Sequence, residues 1–369
     1  MSDVPAPVRV GILGGGFMAR VHAHAARSAR AELVAIASSS QPRALEAAAA
    51  LGVAHALPDA AALVATDVDV VHVCTPNTTH ASLAAQAIAA GRHVVCEKPL
   101  ATSVDEAQAL VDALDDAGLV GAVPFVYRYH PMVREARARL RDSGEALLSV
   151  DAAYLQDWML LPGDENWRAG AELGGPSRAF ADIGSHLLDL VEFVAGERIV
   201  TLSATTRTVF DRRGDASVAN EDIAGVLFRL AGGAVGTALV TQMAPGRKNA
   251  LTIEWHAADA SYRFEQERPD ELWVGERSGS RLLQRDPEVL SPDAARLSTV
   301  PGGHPMGYQD AFDAFVADAY AAIGGAAPDG LPTFDDGLRA VVLTDAVLRS
   351  AASGEWIETT ARARRSVAA

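Results

Sequence analysis

Five uninterrupted apolar runs in the first 126 residues constrain the fold of this chain more than any other feature. They are VRVGILG (8–14), ELVAIAS (32–38), DVVHVCT (69–75), HVVCEK (93–98) and VGAVPFV (120–126). Alanine-rich stretches of helical composition separate them, for example 41–51, 78–90 and 103–117. A strand that is apolar on both faces must be covered on both faces, and helices between such strands supply the cover. The pattern predicts a doubly wound parallel sheet over residues 1–127. From residue 128 the texture changes. A helix near 131–142 leads into long strand-like runs at 146–157, 199–211, 219–230, 234–242 and 249–267. Glycine turns such as AGG (231–233) join some of them, which favours antiparallel hairpins. A helix near 184–195 interrupts these strands, and two more, at roughly 307–323 and 335–352, follow them. Residues 128–369 therefore read as an α+β domain on a mostly antiparallel sheet. The last stretch, ARARRSVAA, is expected to fray.

A length of 369 residues suits two such domains. With 49% hydrophobic and 21% charged residues the composition is that of a soluble globular protein. A net charge of −15 argues against nucleic-acid and anionic-membrane surfaces, both of which need basic patches. The start MSDVPAPVRV has neither the basic nor the apolar region of a signal peptide, and no 18-residue apolar run follows. A cytoplasmic location is the expectation. Cys74 and Cys96 lie in apolar strands and are too few for a disulfide framework. The ten histidines show no metal-ligand spacing with cysteine, so no metal site is expected.

Between the first strand and the first helix, Gly14, Gly16 and Ala19 form a G-x-G-x-x-A pattern with Phe17 and Met18 inside it. Glycines there allow a tight turn and close backbone approach, and the helix N-terminus faces a pyrophosphate. The position inside a βαβ unit makes this a dinucleotide-binding turn. An acid at the end of the second strand would grip the ribose diol of NAD. Here the strand ends in Ser38, Ser39 and Ser40, with Arg43 following, so NAD or NADP is admissible and the balance tips slightly to NADP. Ligands of an open α/β sheet lie beyond the carboxyl ends of its strands. That edge carries Thr75, Pro76, Asn77 and His80 from CTPNTTH; Asn77 and His80 either face the nicotinamide or cap the next helix. His22 and His24, on the first helix, read as packing or surface residues.

The same edge receives Glu97 and Lys98. Of 32 basic residues only Lys98 and Lys248 are lysines. Arginine is a permanently charged fork, whereas a lysine ammonium shifts its pKa when desolvated, so a site that shares a proton can demand lysine. In the second domain, SRAFADIGSHLLDLVEF (177–193) spaces Asp182, His186 and Asp189 at i, i+4 and i+7, one face of a helix. A histidine takes a hydroxyl proton near neutral pH and a nearby carboxylate can orient it; Asp182 as a helix cap over a structural histidine is the plainer alternative.

With the motifs at 14–19, TPNTTH (75–80), EKPLA (97–101) and DIGSHLLD (182–189) together, the whole chain resembles the Gfo/Idh/MocA family, relatives of glucose–fructose oxidoreductase and inositol dehydrogenase. The resemblance implies a Rossmann domain and a nicotinamide-dependent oxidoreductase acting on sugars, cyclitols or related polyols. It also implies a homodimer or homotetramer formed through the C-terminal sheet, and a catalytic trio of Lys98, Asp182 and His186. The GGPSRAF run before the aspartate motif and the missing acid on the second strand depart from the family pattern. On this reading His186 removes a hydroxyl proton, Lys98 stabilises the reacting oxygen, and Asp182 holds the imidazole tautomer; Lys98 or His186 is the formal base. Tyr154, Gln156, Asp157, Trp158, Arg168 and His304 are candidates for substrate hydroxyls, as are Tyr127 and Arg128. A dihydrodiol or imine-type reductase with a drier pocket, and a cofactor-binding sensor, are the rival readings.

Overall fold

A computed structural model describes residues 6–359. Six parallel strands form the first sheet: β1 (Arg9–Leu13), β2 (Glu32–Ala37), β3 (His55–Leu57), β4 (Val70–Val73), β5 (His93–Cys96) and β6 (Gly121–Ala122). Their order is β3-β2-β1-β4-β5-β6, every pairing parallel, with helices on both faces. This is the doubly wound sheet that the apolar runs predict. The crossover from β1 leads out to β2 and β3, and the chain then returns to β4 beside β1. That reversal opens a crevice at the carboxyl ends of β1 and β4. Two details differ from the expectation. β3 is a three-residue edge strand with no apolar run to announce it. The 120–126 run gives only two strand residues, because Pro124 lacks a ladder N–H and the chain passes into a short 3-10 turn, Val126–Tyr129.

The second sheet has nine strands, β7 (Leu147–Leu155), β8 (Ile199–Arg207), β11 (Ile223–Leu230), β12 (Val235–Thr241), β13 (Ala250–Ala257), β14 (Ala260–Glu265), β15 (Glu271–Glu276), β16 (Gly279–Gln284) and β17 (Ile357–Glu358), with a small hairpin of β9 (Arg212–Arg213) and β10 (Ala216–Ser217) beside it. All its pairings are antiparallel except β12 with β7. The single run expected at 249–267 is the hairpin β13–β14. The hairpin β15–β16 adds an edge that the sequence reading did not include.

The Ser185–Ala195, Pro131–Ser143 and Phe334–Ser353 helices cover one face of this sheet and bury Trp255, Phe228, Phe264 and their neighbours there. On the other face Leu227, Val235 and Leu239 stay about half exposed. The late helices also return to the first sheet. Tyr308–Ile323 packs on the Phe17–Ser28 helix, and Phe334–Ser353 packs on Val104–Ala117. The tail expected to fray, 361–369, lies outside the described residues. Among the described residues no helix is long and apolar enough to cross a membrane.

Candidate active site

The crevice at the carboxyl edge of the first sheet continues into a cavity of about 1270 Å³ walled on its far side by the second sheet. At one end lies the glycine turn. Gly14 has φ +114°, and a Cβ there would stand 2.5 Å from the Cys74 carbonyl oxygen, so only glycine fits. Gly16 caps the Phe17–Ser28 helix without a side-chain hydrogen bond, and a Cβ on it would meet nothing within 4 Å. The turn is therefore an open cradle of main chain in front of free helix N–H groups, which suits a diphosphate. Phe17 and Met18 line the same wall, Phe17 being 62% exposed.

Ser38, Ser39 and Arg43 line the next stretch, the Arg43 guanidinium donating to Ser39 Oγ at 3.2 Å. Glu46 and Asp59 also reach this wall, so it is not free of carboxylates. The Asp59 carboxylate is engaged, accepting from the Ala62 N–H at 2.8 Å to cap a short helix. Thr75, Pro76, Asn77, His80 and Glu97 all face the cavity. Two of them serve as ties. Asn77 donates to the Gly174 carbonyl at 3.0 Å, linking the sheet edge to the second domain. His80 lies between the Pro99 and Thr75 carbonyls at 2.7 and 2.8 Å. Burial lowers its pKa while those two hydrogen bonds pull upward.

Lys98 reaches the chemical end immediately before a cis bond to Pro99. Its ammonium donates at 2.7 Å to Asp182 Oδ1 and at 2.7 Å to the Asp182 main-chain oxygen. Asp182 stands in a π-helical turn, Phe180–Gly184, that opens the Ser185–Ala195 helix. The Glu221 carboxylate anchors the start of this turn by accepting from Ser177 Oγ and the N–H groups of Arg178 and Phe180. Asp182 Oδ2 accepts from Gln242 Nε2 at 2.9 Å, and Arg168 Nε lies 3.4 Å from Oδ1. Burial raises the Asp182 carboxyl, but the charges of Lys98 and Arg168 overcome it and hold the group well below the usual carboxylate range.

His186 is buried edge-on against Tyr127, 5.1 Å between ring centroids, and Phe125, at 5.7 Å. Its Nδ1 is buried without a hydrogen-bond partner. Burial, then the charge of Lys98, pushes its pKa down to about 3, so at neutral pH the imidazole is neutral. The expectation that Asp182 holds this imidazole is not what the geometry gives. Both carboxylate oxygens already accept from Lys98 and Gln242, so Asp182 orients the lysine. In a π turn residues five apart align, not four, and the i, i+4 spacing loses its meaning.

Tyr127, Tyr154, Gln156 and Arg168 line the wall opposite, together with Asn249, Trp167 and Tyr308, which the sequence reading missed. Tyr127 and Tyr154 hydroxyls are 2.5 Å apart; Tyr154 donates to Asn249 Oδ1 at 2.7 Å, and Asn249 Nδ2 donates back to Tyr127 at 3.3 Å. Gln156 donates to the same Asn249 oxygen at 2.8 Å. Asn249 ends a loop and carries no local motif, whereas Trp167 directly precedes the candidate Arg168 and Tyr308 follows the candidate His304 by four residues.

Four candidates lie outside the cavity, each with a physical reason. Arg128 is buried in a pair with Asp189 (2.8 Å from Nε) and Asp336 (3.0 Å). Asp157 accepts from Lys248 at 2.7 Å and the Gly246 N–H at 3.0 Å. Trp158 turns its indole N–H to Gln156 Oε1 at 2.7 Å. His304 is exposed and gives its carbonyl to Arg285. His22 and His24 do not line the cavity either; His24 pairs on the surface with Asp313. Among the described residues no group of three or more histidines, cysteines and acids could hold a metal ion.

A dinucleotide cradle at a Rossmann switch point, opening onto a lysine, a carboxylate and a neutral histidine, defines a nicotinamide-dependent oxidoreductase. Comparison with known proteins agrees. Residues 8–125 match the oxidoreductase family with an NAD-binding Rossmann fold, and residues 133–263 match the GFO/IDH/MocA C-terminal domain. The levoglucosan dehydrogenase of Pseudarthrobacter phenanthrenivorans is 31% identical over 95% of this chain and 98% of its own. The inositol 2-dehydrogenase of Rhizobium meliloti is 28% identical over the same shares. A structure of levoglucosan dehydrogenase in complex with NADH, 31% identical, superposes with a TM-score of 0.90 over 97% of this chain and 100% of that one. The chain belongs to the Gfo/Idh/MocA family of oxidoreductases.

Proposed function

We propose that this enzyme oxidises a secondary alcohol of a sugar, glycoside or cyclitol, or reduces the matching ketone. The observation that carries the reading is the neutral, unpartnered imidazole of His186 beside the Lys98 ammonium at the carboxyl edge of the dinucleotide-binding sheet. A bound nicotinamide supplies the hydride acceptor or donor. His186 takes the hydroxyl proton, and Lys98 donates a hydrogen bond to the reacting oxygen, stabilising negative charge as it develops. Asp182 fixes the ammonium from two oxygens.

Tyr127, Tyr154, Gln156, Asn249 and Arg168 offer donors and acceptors for several hydroxyls, which favours a polyol over the drier substrate of a dihydrodiol or imine reductase. The intact Lys98, Asp182 and His186 set argues against a non-catalytic sensor. For the ribose, the two serine hydroxyls and Arg43 favour NADP slightly over NAD. The dinucleotide falls to residues 1–127 and the substrate to 128–369. The half-exposed apolar face at Leu227, Val235 and Leu239 supports a homodimer or homotetramer, which light scattering would read as two or four times 38.6 kDa. A cytoplasmic location completes the reading, and cell fractionation tests it.

The deciding experiment is a panel of cyclitols, hexoses and glycosides with each nicotinamide cofactor, followed by nicotinamide absorbance. Turnover of at least one class supports the assignment. A flat panel beside tight cofactor binding would overturn it and leave a sensor.

A further inference from the structure

Glu97 stands next to Lys98 on the cavity wall as a buried carboxylate, and the reaction above gives it no task. Three hydrogen bonds in series lead away from it. Its Oε1 lies 3.0 Å from His22 Nε2; His22 Nδ1 lies 2.8 Å from His72 Nδ1; and His72 Nε2 lies 2.9 Å from the Tyr320 hydroxyl. His22 and His72 are 0% exposed and Tyr320 6%. None of the three lines the cavity. The series runs from the end of β5 through the Phe17–Ser28 helix and β4 to the Tyr308–Ile323 helix, which the late part of the chain delivers.

Counting protons fixes its direction. An ionised carboxylate only accepts, so His22 Nε2 carries hydrogen. If His22 is neutral its Nδ1 accepts, and His72 Nδ1 must donate. The neutral His72 then accepts at Nε2, and Tyr320 donates. In this arrangement every polar hydrogen has an acceptor and every ring nitrogen a partner. The reverse order needs a charged His22 or a protonated Glu97, and either way it leaves the Tyr320 O–H with no acceptor, since among the described residues that hydroxyl has no partner but His72. A buried donor without a partner forfeits the hydrogen bond that water gives it in the unfolded chain. Burial holds Tyr320 protonated, and burial pushes the His72 pKa well down, both in keeping with the first order.

We infer that Tyr320, His72 and His22 form a one-way hydrogen-bond chain that keeps Glu97 ionised beside Lys98, which makes Tyr320 a positioning residue for the reaction although it never meets substrate. The inference rests on the reading of Lys98 and His186 as the reacting pair. Glu97 is faced by His22 from the first helix, by His80 from the helix after β4, by Cys74 and Cys96 from the strand ends, by Tyr308, by Lys98 and by His186. Burial raises its carboxyl, and the His22 hydrogen bond leads the effects that bring it below its ordinary value. Its charge in turn supports the proton affinity of His186. Without the Tyr320 donor at His72 Nε2 the order of the chain is no longer held, so Glu97 can keep its own proton more easily and its carboxyl moves upward, and the field on the reacting pair changes with it.

Two measurements on the full chain test this. The first needs no substrate: nitrogen-15 spectra of histidine-labelled, unliganded protein should show neutral His22 with hydrogen on Nε2 and neutral His72 with hydrogen on Nδ1. A doubly protonated His22 or the opposite tautomers overturn the chain, whatever the enzyme turns over. The second is the pH profile of kcat/KM on the best panel substrate. Tyr320→Phe should move the acid limb up, as Glu97 takes a proton more readily. Adding His22→Gln should bring it back, because the amide donates to Glu97 regardless of His72. A Tyr320→Phe profile that superposes on the parent, or a shift that His22→Gln does not reverse, overturns it. Should Tyr320→Phe fail to fold, His22→Gln and His22→Leu replace it. The glutamine must keep the parental limb and the leucine must lose it; equal profiles for the two sink the proposal.

Discussion

At the glycine turn the cavity wall is built by five consecutive residues, Gly14 to Met18, and its strictest demand is that Gly14 carry no side chain. At the Lys98 end the wall is all side chains, drawn from positions as far apart as Lys98, Asp182 and Gln242, and each Asp182 oxygen already has its donor. The first region is specified by backbone conformation and fails when a Cβ is added. The second is specified by the pairing of charges and fails when a partner is changed, even for one of equal charge. Binding and chemistry should therefore be separable by substitution.

The largest separation is expected at His186. His186→Ala should lower kcat by roughly two to four orders of magnitude, the span of a lost general acid–base, with dinucleotide affinity by titration unchanged. Near-parental turnover would return the histidine to core packing. Lys98→Arg keeps the charge and should still cost about two to three orders in kcat. The fork is larger, does not deprotonate, and does not fit between the Asp182 carboxylate and carbonyl. If that variant works nearly as fast as the parent, charge alone suffices and the contrast between the two regions collapses.

The chemical end should also be the acid-sensitive one. His186 has its pKa held at about 3 in the folded chain against an ordinary 6.5. Between those values the unfolded chain takes a proton that the folded chain refuses, so stability falls as pH drops from 6.5 toward 3. By pH 4 that amounts to roughly 3 kcal/mol. Denaturant unfolding at pH 7 and pH 4 should show a smaller drop in His186→Ala, by about that amount, and the parental drop in Gly14→Ala. Equal drops in all three proteins would mean that His186 is protonated in the native state.

Gly14→Ala tests the other region. Forcing a Cβ onto φ +114° against the Cys74 carbonyl should weaken dinucleotide binding by roughly ten- to a hundredfold, the worth of about 1–3 kcal/mol of strain. The kcat at saturating cofactor should change less. An unchanged dissociation constant would show that the turn does not hold the pyrophosphate. The smallest effect is expected at the ribose end. Ser38→Asp should tilt the NADP-to-NAD ratio of kcat/KM toward NAD by about tenfold, one charge-assisted hydrogen bond gained and one phosphate repelled. Glu46 and Asp59 already stand at that wall, and a ratio that does not move would mean that they, not the strand end, set the preference.

Features that depend on neighbours along the chain are readable in the residues alone. Apolar runs between alanine-rich helices dictate a covered parallel sheet, and Gly14 and Gly16 in the first crossover dictate the turn, because both follow from local backbone and side-chain period. Lys98 was legible as an exception in an arginine-rich composition. The edge strands were not: β3 and the β15–β16 hairpin bury too little to need a continuous apolar run. Tertiary structure alone decided who partners whom. Asp182 reads as the partner of His186 four residues on, yet a π turn and two donors from positions 98 and 242 claim its oxygens. Asn249 and Glu97 have no motif that states their bonds. A carboxylate or amide accepts from whichever donor the fold brings within 3 Å, and that competition is settled among residues whose sequence separation carries no information about their distance.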